Sequence, residues 1–399
     1  MRPWASGLLI AVLLAALPPG AAADPWIGVR GNHLVDRRGD VVRLLGVNRS
    51  GAEYECVEGT GIFDGPTDAA SIAAMKSWRI NAVRVPLNES CWLGDAGLDP
   101  ARSGLAYRAA VHEYVDALER AGLYVILDLH WAAPRHEPAF GLLEMPDAES
   151  APEFWAGLAA EYRSDRGVLF DLYNEPHDVG WSCWSEPCVL NNPWLGSYQA
   201  ASLPELLAAV RSTGARQPVL LAGLDWARDL RGWLSHVPTD PAHALVASNH
   251  TYDFSACGRL CRDALARIAR RYPVVTGELG EGDCRRRYVN SYMRWADRHG
   301  ISYLGWTWDA HGRWDCAGGP SLISGYDGHP TRYGVGLRKH LRRLAARERR
   351  AGGGAQAPPN QSLTRKRARL SVPRTSIRGT SIGSSPGQAS LDSTVQAPR

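Results

Sequence analysis

The chain has 399 residues, 45% of them hydrophobic and 22% charged, which is apolar material for one large core or two ordinary ones. A barrel domain of about 250 residues or more fits within it. The formal net charge of +4 gives little weight to a nucleic-acid partner: from Ala351 to Arg399 seven basic residues stand against one acidic one, a net of +6 that leaves the rest near −2.

In chain order, Arg2, the apolar run from Gly7 to Leu17 and Ala21-Ala22-Ala23 before Asp24 have the arrangement of a secretory signal peptide, with cleavage expected after Ala23. That predicts a secreted, extracellular protein. No later stretch approaches the length of about 20 apolar residues that a membrane helix needs.

From about Val42 to Trp308, short β-branched or leucine-rich runs alternate with longer amphipathic stretches, the βαβα pattern of a parallel sheet covered by helices. The runs are Arg43 to Val47, Asn81 to Val85, Tyr124 to Leu129, Val168 to Tyr173, Val219 to Ala222, Ala244 to Ser248, Val274 to Thr276 and Ser302 to Gly305. Between them, apolar residues recur at three and four positions over Tyr107 to Arg120, Glu153 to Tyr162, Leu203 to Ser212, Arg262 to Arg271 and Arg285 to Arg298. Eight units predict an α/β fold of the single (β/α)8 or TIM-barrel kind, spanning 24–350. The open doubly wound alternative would carry a phosphate-binding glycine loop after the first strand, and Gly46-Val47-Asn48-Arg49-Ser50-Gly51 is not one.

Residues 351–399 form a basic tail rich in Gly, Pro, Ser and Arg, with no apolar periodicity that would build a core, so disorder is expected there. Adhesion to an acidic wall polymer is one reading of it, and a solvated extension without function is at least as good a one. Arg365-Lys366-Arg367-Ala368-Arg369 resembles a nucleic-acid patch, a partner an exported protein rarely meets.

Eight cysteines suit bridges formed in an oxidising compartment, although spacing does not fix their connectivity. Proximity suggests Cys183 with Cys188, Cys257 with Cys261, Cys284 with Cys316 and Cys56 with Cys91. No Cys-x2-Cys pair or neighbouring histidine set favours zinc, so neither metal nor cofactor is expected.

In such a barrel the chemistry gathers at the C-terminal ends of the strands. Strand two is expected to end at Arg84, strand three at His130, strand four at Asn174-Glu175, strand six at His250 with Tyr252 beyond, strand seven at Glu278 and strand eight at Trp306. Glu175 and Glu278 would then face each other across one mouth. Retaining glycoside hydrolysis needs two carboxyl groups about 5 to 5.5 Å apart, one protonated and one ionised. Arg84 and the Tyr252 hydroxyl are suited to holding an ionised carboxylate.

Asn81-Ala82-Val83-Arg84-Val85-Pro86, Leu127-Asp128-Leu129-His130-Trp131, Asp171-Leu172-Tyr173-Asn174-Glu175-Pro176-His177, Asn249-His250-Thr251-Tyr252, Val274-Val275-Thr276-Gly277-Glu278-Leu279-Gly280 and Tyr303-Leu304-Gly305-Trp306-Thr307-Trp308 occur in that order. Together, over roughly Leu44 to Gly336, they resemble the cellulase-type family 5 of glycoside hydrolases, within the clan of retaining barrel enzymes. The resemblance implies Glu175 as acid/base, Glu278 as nucleophile and Asn174 bonding the 2-hydroxyl of the sugar being cleaved. It further implies Arg84 and Tyr252 steadying Glu278, His250 touching the acid/base, His130 bonding the same sugar and Trp306 forming its floor. Trp131, Trp181, Trp184 and Trp308 are candidates for flanking subsites, with packing an equal alternative.

Taken singly, each has a structural reading: Arg84 as an ion-pair partner, His130 or His250 as a satisfied core histidine, Glu278 as a cap for the following helix. His136, His243, His299 and His311 have no positional argument and are expected on the surface. Fifteen Trp against five Phe suits a sugar-binding cleft.

The reading is a monomeric enzyme cleaving internal β-1,4 linkages of a β-linked polysaccharide, an endo-β-1,4-glucanase. A β-mannanase, xyloglucanase or β-1,3-glucanase on the same scaffold is the alternative, with the loops Asn48 to Pro66, Arg135 to Pro146 and Val179 to Gly196 deciding between them. A metal-dependent hydrolase barrel would carry His-x-His after its first strand, and that pair is missing. A binding protein that has lost catalysis is disfavoured by the presence of both glutamates.

Overall fold

The computed structural model describes residues 25–255, 258–283, 285–310 and 320–353. The expected signal peptide, the tail beyond residue 353, Cys257, Cys284, Cys316 and His311 lie outside the described residues.

Eight parallel strands close a barrel: β1 (Leu45–Asn48), β2 (Ala82–Asn88), β3 (Tyr124–Trp131), β4 (Val168–Asp171), β5 (Val219–Ala222), β6 (Leu245–Tyr252), β7 (Val274–Gly280) and β8 (Ser302–Gly305). Each pairs with the next in sequence and β8 pairs with β1, so no strand presents an open edge. All eight expected runs are therefore strands of one barrel. The helices following them are α1 (Ala69–Ser77), α2 (Leu105–Arg120), α3 (Ala151–Glu161), α4 (Leu203–Ser212), the single turn α5 (Trp233–His236), α6 (Gly258–Ile268), α7 (Arg287–Arg298) and α8 (Gly334–Gly353). Helix α4 begins with a capping box, in which Ser202 accepts from the Glu205 N–H and the Glu205 carboxylate accepts from the Ser202 N–H.

Alternation along the strands sorts the interior into layers. Leu44, Ala82, Ile126, Leu169, Leu220, Val246, Val275 and Leu304, one from each strand or its edge, form an apolar plug with Ile27 and Leu34. Leu34 belongs to, and Ile27 immediately precedes, a small antiparallel sheet of Gly28–Arg30, His33–Val35 and Val41–Val42 that closes the N-terminal end. Two residues further along the strands the inward positions turn polar, as Arg84, Asp128, Asp171 and Ser248. Two further still come His130, which reaches the mouth, and His250, just behind its wall. The intervening residues, such as Val83, Val85, Val125, Leu127, Val168 and Phe170, pack in the other cluster with helix residues Val111, Val115, Phe154 and Leu158.

Strand β2 runs on to Asn88, paired with β3 throughout, so Arg84 is its third residue and lies inside the barrel, one layer below the mouth expected for it. Disulfides join Cys56 to Cys91 and Cys183 to Cys188, with Cα atoms 6.1 and 5.4 Å apart. The connection from β4 to α4 carries an antiparallel hairpin, Cys188–Asn192 with Gly196–Ala200, that periodicity does not announce.

Candidate active site

The site is built upward from Arg84, which has no exposed surface. Its Nε donates to Asp171 Oδ2 at 3.0 Å and its Nη2 lies 2.9 Å from Asp128 Oδ1. Nη1 donates to Asn48 Oδ1 and Glu278 Oε1, each at 3.0 Å, and Nη2 donates to Asn174 Oδ1 at 2.8 Å. Burial alone would lower the guanidinium pKa. The carboxylates of Asp128, Asp171 and Glu278 outweigh that and raise it, so the cation persists. Burial in turn pushes both Asp128 and Asp171 up.

Glu278 rests on this platform. One oxygen takes the Arg84 bond and the other accepts from the Tyr252 hydroxyl. Both oxygens thus accept from donors beneath and beside the carboxylate. The cap at the start of α7 is Glu281, three residues on, whose oxygens accept from the N–H groups of Arg287, Tyr288 and Val289.

Glu175 sits just past the end of β4 in different company. Burial pushes its carboxyl up to about 7, against the opposing influence of His130, Arg84 and His177. His250 Nδ1 lies 2.8 Å from Glu175 Oε1, and burial lowers the imidazole to about 3, so this neighbour is neutral near pH 7. One oxygen of Glu175, one of Glu278 and a ring nitrogen of His250 lie within 4.8 Å of one another.

His130 and Asn174 complete the polar wall. Asp128 Oδ2 is 2.7 Å from His130 Nδ1, which places the proton on Nδ1 and leaves Nε2 as an acceptor, and burial lowers this histidine to about 4. With its Oδ1 held by Arg84, the Asn174 amide turns Nδ2 towards His130 Nε2, 3.4 Å away. The Trp306 indole stacks on the His130 ring with centroids 5.5 Å apart and planes at 11°.

These groups open into a cleft of about 550 Å³ lined by His130, Asn174, Glu175, Tyr252, Glu278 and Trp306. Arg84 and His250, also expected there, lie behind the wall, in contact with Glu278 and Glu175 respectively. The cleft is also lined by Trp226, Arg228, Phe254, Ser255 and Pro320, which sequence reasoning missed. Trp226 belongs to a turn in which Asp225, Trp226 and Ala227 all have positive φ, between 55° and 60°, without a glycine to announce it. An Arg228 fork to both Asp225 oxygens, each at 2.8 Å, closes that turn.

The four further tryptophans fall on the packing side. Trp184 and Trp308 are fully buried, Trp184 donating to the Ala222 carbonyl and Trp308 packing edge-on against Trp78. Trp181 stacks on His236, and Trp131 packs near Tyr54. None of the four is among the described residues lining the cleft. His136, His243 and His299 are exposed, as expected.

Among the described residues two groups carry metal-type ligands close together. In Glu175, His250 and Glu278 the charge of Glu278 is already met by a guanidinium. In Asp253, Glu281 and Asp283 the Glu281 oxygens are engaged in capping α7 and Asp253 accepts from the Gly282 N–H.

The sequence matches the family model described as Cellulase (glycosyl hydrolase family 5) over residues 35–312. It is similar to Endoglucanase E-5 of Thermobifida fusca, 25% identical over 70% of this chain and 54% of that one. It is also similar to Endoglucanase CelA of Streptomyces lividans, 24% identical over 77% and 61%. A mannan endo-1,4-beta-mannosidase of Streptomyces lividans is 22% identical over 87% of this chain and 83% of its own length. The chain thus spans little more than half the length of the endoglucanases it matches. In fold it is similar to a beta-glucanase from Saccharophagus degradans in complex with cellotetraose, with a TM-score of 0.62 at 19% identity, over 84% of this chain and 99% of that one.

Proposed function

This chain belongs to the cellulase family, glycosyl hydrolase family 5, and from that premise we propose that it hydrolyses a β-linked glycan by double displacement, with Glu175 as acid/base and Glu278 as nucleophile. The observation that carries the assignment is the unequal setting of two carboxyl groups whose oxygens lie within 4.8 Å. Glu278 accepts hydrogen bonds from the Arg84 guanidinium and the Tyr252 hydroxyl, whereas Glu175 is pushed up to about 7 beside a neutral imidazole. That division is what the two roles require, and the short separation favours retention over inversion.

In the first step Glu278 attacks the anomeric carbon while the Glu175 proton passes to the departing glycosidic oxygen, leaving a glycosyl ester on Glu278. In the second, Glu175 takes a proton from water, whose oxygen attacks the same carbon and releases Glu278. Asn174 Nδ2 and His130 Nε2 are placed to bond hydroxyls of the ring being cleaved, and Trp306 offers it an apolar face. His250 orients Glu175 from behind.

The preferred substrate is a β-1,4-glucan cut internally. Endoglucanase relatives and the open, aromatic-rimmed cleft support this. Mannan is the second reading, favoured by the mannosidase relative matched over 83% of its length. Export is proposed from the N-terminal apolar run and agrees with the two disulfides. Two measurements test the whole. Glu278→Gln should retain sugar binding while losing hydrolysis, and unchanged hydrolysis would overturn the nucleophile. Release of reducing ends from glucan, mannan, xyloglucan and β-1,3-glucan identifies the substrate, and early product followed by NMR should be the β-anomer.

A further inference from the structure

The hairpin between β4 and α4 has a composition unlike the rest of the surface. From Cys188 to Ala200 it contains no Asp, Glu, Lys, Arg or His, in a chain that is 22% charged. Exposed strands are ordinarily blunted with charge against pairing with another chain, so an uncharged exposed hairpin calls for a reason. Its outward positions are Val189, Asn191, Ser197 and Gln199, with Asn191 opposite Ser197 and Val189 opposite Gln199. At its tip Trp194 is 91% exposed.

This tip is built rather than frayed. Asn192 Oδ1 accepts from the N–H groups of Trp194 and Leu195, at 2.9 and 3.2 Å. The Asn192 amide donates to the Glu144 carboxylate, and Tyr198 donates to the Met145 carbonyl at 3.0 Å. The Cys183–Cys188 disulfide ties the base. These bonds fix the backbone of the turn, which presents the Trp194 indole to solvent from an ordered support.

The hairpin is also continuous with the cleft. Trp226, on the cleft wall, stacks on His177 with centroids 3.8 Å apart, and the His177 N–H donates to the Glu144 carbonyl at 3.0 Å. Glu144 in turn receives Asn192 and Tyr198. One chain of contacts therefore runs from the catalytic mouth to the hairpin tip. Both features belong to connections leaving the C-terminal ends of strands, so they share the catalytic face.

We propose that the hairpin tip, Trp194 with the amide and hydroxyl groups of Asn191, Ser197 and Gln199, is an auxiliary binding surface for the distal part of a neutral polymeric β-glycan chain. Pyranose C–H faces stack on the indole, and the uncharged amides bond hydroxyls without the desolvation cost that ionised groups would carry. The proposal rests on the glycan-hydrolase reading of the cleft, and its test separates the two. Wild type and Trp194→Ala are compared, as full chains, for hydrolysis of cellotetraose, a short soluble chain, and of amorphous cellulose, and for retention on amorphous cellulose. The expected result is a fall on the order of tenfold in retention and in the rate on amorphous cellulose, with cellotetraose cleavage unchanged and Trp194→Phe restoring most of the loss. Equal losses on both substrates would assign Trp194 a structural role and overturn the proposal, as would unchanged retention or a change in molecular mass that marks the hairpin as a contact between copies. If neither substrate is cleaved by wild type, the glucan reading of the cleft fails, while the retention comparison still decides the hairpin.

Discussion

Gly277 faces the imidazole of His250 so closely that a Cβ added to it would stand 2.9 Å from Nε2 and 3.3 Å from Cδ2, with Ser248 Oγ at 3.2 Å. The same imidazole holds Glu175 through its other nitrogen, so the absence of a side chain at 277 sets the position of the acid/base. Gly277→Ala should push His250 off Glu175 and lower kcat on the order of 100-fold, the effect of a misplacement near 1 Å, while thermal unfolding stays cooperative. Wild-type kcat in the variant would mean that His250 has room to yield.

The two buried histidines sharpen the expected pH dependence. His250 is lowered to about 3 and His130 to about 4, so both are neutral throughout the neutral range. Glu175, raised to about 7, is then the group whose proton is lost as pH increases. Hydrolysis of an unactivated glycan should fall on the alkaline side with an apparent pKa near 7. A dinitrophenyl glycoside, whose leaving group needs no proton, should form the glycosyl ester without that limb, and Glu175→Gln should retain this single step. An alkaline limb that persists in Glu175→Gln would assign it to another group.

Much of this site was legible because strands impose a period of two and a fixed direction. Knowing that Ile126, Asp128 and His130 share one face of β3 already points His130 at the mouth. Pairing signals are less exact about where a strand stops. The ladder of β2 continues to Asn88, so Arg84 supports the site from a layer below. Loops follow neither rule. Trp226 reaches the cleft through three consecutive left-handed residues, none of them glycine, whereas Trp184 and Trp308 occupy sequence positions just as suggestive and are buried. Side-chain direction beyond a strand end depends on tertiary contacts such as the Trp226 N–H bond to Pro176, which no local pattern encodes.

Arg84 offers a test of the layer beneath. It is the cation set against Asp128, Asp171 and Glu278, all three within 3.0 Å. Arg84→Met should cost about 3–5 kcal/mol of unfolding free energy in urea, because it strands buried carboxyl groups. Arg84→Lys keeps the charge without the fork that reaches Asn48 and Asn174 as well, so it should fold yet lose most activity. Full activity in the lysine variant would show that charge alone suffices beneath Glu278.

A second pair of carboxyl groups gives the fold a pH dependence of its own. Glu89 and Asp147 are buried against each other, where Glu89 Oε1 accepts from the Ala133 N–H and Asp147 Oδ1 accepts from the N–H groups of Glu149 and Ser150. Burial first, and then the Asp147 charge, raises Glu89 well above the ordinary carboxyl range, so in the folded protein it keeps a proton and donates it to Asp147. The unfolded chain releases that proton above about pH 4.5. The native state then binds more protons than the unfolded one, and stability declines with rising pH until Glu89 ionises in the fold, with a slope of about 1.4 kcal/mol per pH unit for one proton. Glu53, raised by burial to about 8, adds in the same direction. The thermal midpoint should therefore fall between pH 5 and pH 8. Glu89→Gln, whose amide donates to Asp147 without titrating, should make that fall shallower while leaving the Glu53 contribution. Identical slopes in the variant and the wild type would mean that Glu89 is ionised in the native state across this range.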